Sequence, residues 1–173
     1  MGEITRPKKV NLIAGLLAGD DTALSRAADA LRKAFGPTDF ESGPIDFNHT
    51  SYYSREMGPA LKRRFLGFEK PVSPEGICAV KASTNRIEKR LSSGLNRTVN
   101  IDPGYLDLSR LVLFTTKDYS HRIYLGRGIF AEVTLIYRDN TFNALPWTYP
   151  DYRTAGYIDI FNRIRLIYKA KLQ

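Results

Sequence analysis

At 173 residues and 19.6 kDa the chain is long enough to bury a real core, and one domain over residues 1–173 is the expectation. Its 43% hydrophobic and 25% charged content excludes a disordered or low-complexity polymer, and no apolar run reaches the roughly 20 residues of a helical membrane span. The single cysteine, Cys78, excludes an intrachain disulfide and a cysteine-based zinc site; between Ile77 and Ala79 it reads as a small core hydrophobe.

A net charge of +8 and a pI near 9.6 point to anionic partners such as nucleotides, phosphorylated metabolites or RNA, with a merely solvated basic surface as the plainer account. Residues 1–9, with Arg6, Lys8 and Lys9, read as a flexible arm. The opening MGEITRPKKV has no apolar core of a secretory signal, so a cytoplasmic protein without membrane attachment is expected.

Residues 10–18, VNLIAGLLA, form an apolar run suited to a strand buried on both faces. Asp20 and Asp21 offer an N-cap, Leu24, Ala27, Ala28, Leu31 and Phe35 follow at helical spacing, and Gly36-Pro37 ends that helix. A second strand is expected within 38–48. Residues 54–66, with Met57, Leu61 and Phe65 four apart, predict a helix that would expose the basic run Lys62, Arg63 and Arg64. ICAVKA predicts a strand, Asn85 begins a helix carrying Ile87, Leu91 and Leu95, and RTVNI predicts another strand. The first hundred residues thus read as a ferredoxin-like double βαβ interrupted by the helix at 54–66.

The second part is β-branched and aromatic. LVLFTT, HRIYL, IFAEVTLIY and TFNAL predict strands, joined in part by the turns Gly126-Arg127-Gly128 and Asp139-Asn140. A last helix at 155–169 presents Tyr157, Phe161, Ile164 and Tyr168. The fold class expected is α+β: a largely antiparallel sheet with helices packed on it.

Four polar clusters stand out. NIDPGY holds Asp102 and Tyr105, and its Pro-Gly suits a type II turn that would place Asp102 at a strand end. TTKDYSHRIYLGRG holds Lys117, His121 and Arg122; His121 is the candidate general acid or base, and strand alternation would put His121 and Arg122 on opposite faces. Glu132 interrupts an apolar strand, where it is either exposed or in need of a cation. WTYPDYR offers Trp147, Tyr149 and Tyr152 for stacking, Asp151 as a helix-entry acceptor and Arg153 for a phosphate, or else a packed aromatic corner. His121, Asp102 and Glu132 are the catalytic candidates. Lys117, Arg122, Tyr105, Trp147, Tyr149, Asp151, Tyr152 and Arg153 are the ligand-binding ones, and Asp102 and Glu132 could hold a metal, with Mg²⁺ the cofactor they would suit.

Together, HTSYYSREMG at 49–58, KASTNRIE at 81–88, NIDPGY, HRIYLGRGIFAEVTL and WTYPDYR resemble a family of bacterial and archaeal proteins of unknown function, from about Val10 to Tyr168. The resemblance implies that these blocks, including Tyr53, Glu56, Lys81, Asn85 and Glu88, are signature positions; it assigns them no roles. Some members carry the label GTP-binding protein. A P-loop is absent, because AGLLAGDDTALS lacks the Lys-Ser or Lys-Thr pair and sets two aspartates where phosphates would lie.

The function expected is binding of a nucleotide or other phosphate-bearing small ligand, with hydrolysis or group transfer as the chemistry open to it. The alternative is an RNA-binding or protein-interaction module using Lys62–Arg64, Arg86, Lys89 and Arg90.

Overall fold

The run NLIAGLLA has no polar face to offer solvent, and it becomes the central strand, buried at every position: β1, Asn11–Ala18. The computed structural model describes residues 2–50, 52–94 and 96–173, apart from the side chains of residues 54 and 55. The remaining strands are β2 (Thr38–Glu41), β3 (Ile45–Phe47), β4 (Leu61–Phe68), β5 (Val99–Leu106), β6 (Arg110–Thr115), β7 (Ile123–Gly126), β8 (Ile129–Arg138) and β9 (Thr141–Ala144). They form one antiparallel sheet in the order β2-β4-β1-β5-β6-β8-β7, with β3 on β4 and β9 on β8. The helices are α1 (Asp21–Phe35), the single turn α2 (Ser54–Met57), α3 (Ile77–Leu91) and α4 (Ala155–Ala170). The α+β expectation holds.

Alternation along β1 divides the core. Leu12, Ala14 and Leu16 pack with Leu24, Ala28 and Leu31 of α1 and Ile87 of α3. Ile13 faces the other way, toward Phe65, Tyr152, Phe161 and Ile164 under α4. Asp20 caps α1 by accepting from the Ala23 N–H at 2.7 Å, and Gly36 ends it at φ 96°.

The ferredoxin-like order is present, since β2-β4-β1-β5 with α1 and α3 as crossovers is that topology, but two of its elements are not those expected. Residues 61–68 are a strand, not the second half of a helix 54–66. Met57, Leu61 and Phe65 are four apart, a spacing that keeps one face in a helix and in a strand alike, and the helix stops after one turn at Met57. ICAVKA is the start of α3 and not a strand. A 3₁₀ turn at Pro74–Gly76, capped by Ser73, leads directly into it. Leu95, expected on that helix's apolar face, lies outside the described residues.

NIDPGY makes no turn; β5 runs straight through Pro103-Gly104. Pro103 is tolerated because Ile101, two residues earlier, already points its N–H away from β1, so the proline removes no donor from the β1–β5 ladder. Gly104 is required by close approach: a Cβ there would lie 2.3 Å from the Val112 carbonyl oxygen of β6. Gly104→Ala should therefore destabilise the fold by about 1–3 kcal/mol. Thermal unfolding would read this as a loss of several degrees, and an unchanged Tm would contradict the packing described.

Candidate functional site

The sheet splits between β5 and β6. The two strands pair only at Gly104–Leu106 with Leu111–Leu113, although β5 continues along β1 back to Val99 and β6 continues along β8 to Thr115. Beyond Gly104 an interior strand edge is left without a neighbouring strand. Ile101 is fully buried there, and two side chains of α3 meet its backbone: Glu88 accepts from the Ile101 N–H, and Lys81 Nζ donates to the Ile101 carbonyl at 3.3 Å. Lys81, Asn85 and Glu88 follow one another at i, i+4 and i+7, a polar stripe on the inward face of α3.

A cavity of about 760 Å³ occupies this fork. Asn100 and Asp102 of β5 line one side, and Leu113, Phe114 and Thr115 of β6 line the other. Its floor is built on Arg63, which lies in β4 at 3% exposure and not on the surface of a helix as expected. The guanidinium donates to Asp102 at 2.8 Å and to Asp151 at 3.3 Å, and Gly15 of β1 leaves room for it, since a Cβ there would meet Arg63, Phe65 and Tyr152. Asn100 donates to the second Asp102 oxygen at 2.9 Å, and Arg97 donates to Asn100 and to Glu56.

Burial opposes ionisation of Asp102. The charges of Arg63 and Lys81 and the hydrogen bonds from Arg63 and Asn100 outweigh it, holding this carboxyl below the usual range. Asp151 goes the other way: burial raises it, the Asp102 charge adds to that, and Arg63 offsets only part. Burial likewise raises Glu88, despite Lys81. Two carboxyls on one guanidinium are thus pushed apart.

The opposite wall comes from β8. Glu132 is 3% exposed in the middle of that strand and is compensated by Arg122, whose Nε donates to it at 2.7 Å. Arg122 also donates to the Lys117 carbonyl and to Tyr149 Oη, so its donors are engaged in holding this wall together. Burial and the Glu132 charge push the Tyr149 phenol up to about 12, which keeps its proton available for donation. His121 Nε2 lies 3.1 Å from Glu132, and the imidazole is stacked between Tyr119 and Trp147. The expected separation of His121 from Arg122 fails because β7 starts later, at Ile123, leaving both in the preceding turn and free to converge on Glu132.

At the mouth, His49, Thr50, Tyr52 and Tyr53 reach over from the loop before α2. Lys117 Nζ sits 4.9 Å from the Tyr52 ring centroid and Arg97 5.6 Å from that of Tyr53.

Of the residues singled out in the sequence, Asp102, Lys117, Glu132, Tyr149, Asp151 and Tyr152 line the cavity. Arg122, His121 and Trp147 stand behind them, Trp147 donating to the Val133 carbonyl. Two do not join. Tyr105 packs on Phe114 in the cluster containing Ile77 and Cys78, and Arg153 donates to the carbonyls of Leu145, Pro146 and Thr148, clasping the loop that carries Tyr149. Asp151 accepts from Arg63 and does not cap α4, whose N-cap is Thr154 with no side-chain hydrogen bond. Asp102 and Glu132 belong to no group of three or more metal-ligating side chains among the described residues. Arg63, Arg97 and Asn100 were not legible as site residues.

Residues 8–168 match a domain of unknown function, DUF4416. The chain belongs to that family. No curated protein and no solved structure matches it. Among the described residues no helix is long and apolar enough to cross a membrane.

Removing the central cation should leave two carboxylates facing each other in the interior. Arg63→Ala is expected to lose about 3–5 kcal/mol in urea unfolding, well above an ordinary surface substitution. The pH dependence has a defined sign. Asp102, depressed in the folded state, stabilises above its unfolded value of about 4 and loses that contribution as pH falls through its folded value. The stability gap between wild type and Asp102→Asn should therefore shrink on acidification below about pH 4. A gap that stays constant across that range would contradict the assignment.

Proposed function

We propose that the chain binds a nucleotide or a closely related phosphate-bearing small ligand in the forked cavity. The observation that carries this reading is convergence: side chains from five segments far apart in sequence, at residues 49, 50, 52 and 53, within 81–88, within 100–102, at 115–117 and at 149–152, line one space. Its size falls within the roughly 300–1,000 Å³ typical of small-molecule sites. Tyr52, Tyr53, Phe114 and Tyr149 supply ring faces suited to a base, while Asp102, held ionised, and Asn85 supply an acceptor and an amide for its polar edges.

The basic run that would have served an RNA-binding face is differently employed. Lys62 pairs with Asp21, Arg64 pairs with Glu41, and Arg63 is buried, which leaves Arg86, Lys89 and Arg90 as a short exposed strip on α3.

Thermal unfolding against a panel of nucleotides and sugar phosphates tests the reading, with Asp102→Asn beside wild type. A ligand at about a hundred times its Kd adds roughly 2.7 kcal/mol, a rise of several degrees for a chain of this size. The expected result is a rise with at least one member of the panel that Asp102→Asn loses. No rise with any member, together with salt-sensitive binding of RNA, would overturn it in favour of the interaction-module reading.

A further inference from the structure

We infer, building on that reading, that the site recognises one phosphate only: the ligand enters body first and leaves its first phosphate at the mouth on Lys117, so a nucleoside monophosphate already makes every phosphate contact the site offers. Most of the positive charge around the cavity is already committed. Arg63 is paired with both Asp102 and Asp151, and Arg97 with Glu56. Lys81, 8% exposed, is fixed on the Ile101 carbonyl, and its charge acts on Glu88 and Asp102. Every cation on the inner wall therefore faces a carboxylate.

Lys117 differs. It is exposed, it lines the mouth, and its ammonium lies over the Tyr52 ring with no ion-pair partner among the described residues. Thr115 and Thr116 flank it with hydroxyls. One phosphate can be met here.

Deeper in, Asp102, Glu88 and Glu132 would repel a phosphate in a medium less polar than water, so the phosphate end stays outward; from the mouth a second and third phosphate project into solvent, where no further lysine or arginine of the cavity lining is free to meet them among the described residues. The inner wall suits uncharged hydroxyl groups instead, which both donate and accept. Asp102, with 31% of its side chain exposed, and Glu88 can accept from them, while the Tyr53 and Tyr149 phenols, kept protonated by burial, can donate to them. A ribose and base match that surface; a triphosphate chain does not.

Isothermal titration of the full chain with adenosine, guanosine, cytidine and uridine and their 5′-mono-, di- and triphosphates, at fixed ionic strength, tests this. For the base that binds, the monophosphate should bind about tenfold more tightly than the nucleoside, with no further gain for the di- or triphosphate. Lys117→Gln, a change at an exposed side chain, should remove the monophosphate's advantage while changing the nucleoside's affinity less than about twofold. Affinity that climbs with each added phosphate, or an advantage that survives Lys117→Gln, overturns this inference and leaves the binding reading standing. Absence of binding by every member overturns both.

Discussion

An interior strand edge has to have its backbone groups satisfied, and that constraint organises the site. Where β5 parts from β6, the Ile101 N–H and carbonyl point into the protein with no neighbouring strand. A buried, unpaired peptide group costs as much as a lost hydrogen bond or more, so an unaided fork would close or flood. Glu88 and Lys81 take the place of the missing strand, one accepting and one donating. Their opposite charges suit the two backbone groups and each other, which is how two ionisable side chains come to lie on the inward face of a helix. The space that this arrangement keeps open is the cavity.

The second consequence is electrostatic. Opening the sheet brings carboxylates from β5, β8 and the loop before α4 into a shared, poorly solvated space, where each needs a cation within reach. Arg63 supplies it for Asp102 and Asp151, and Arg122 for Glu132. Arginine suits both places because its planar fork can meet two acceptors at once. The residues that hold the walls are for this reason distinct from those left with free hydrogen-bonding capacity. Each nitrogen of Arg122 donates within the wall, whereas Lys117, earlier in the same connection, has no ion-pair partner among the described residues.

Much of the fold was legible because its signals are local. The apolar run of β1, the cap and stop of α1, the Asp139-Asn140 turn with positive φ at both residues, and the face of α4 each follow from a few neighbouring residues. The misread elements are those where local signals are degenerate. A spacing of four served β4 as well as a helix, and a short, mostly apolar stretch did not reveal that ICAVKA opens α3. Reading β4 as a helix had a further effect, since it sent Arg63 to solvent and hid the cation that Asp102 and Asp151 share. The polar clusters themselves were visible as departures from pattern, Glu132 most plainly. Which of them would meet was set by the fork, a product of long-range pairing between β1, β5, β6 and β8 that no short stretch encodes. Tyr105 and Arg153 show the limit: each sits in a conspicuous motif, yet the first packs on Phe114 beside the start of α3 without lining the cavity and the second clasps a loop.

Side chains of α3 hold this edge in place of a strand. Amide hydrogen exchange at Ile101, in wild type and in Glu88→Ala, tests it most directly. The account predicts a protected Ile101 amide in wild type that exchanges at least about tenfold faster in the variant, while amides in the closed part of the ladder, such as those of Leu106 and Leu113, keep their protection. An Ile101 amide that stays equally protected without the Glu88 carboxylate would mean that β6 pairs there after all and that the fork is not built as described.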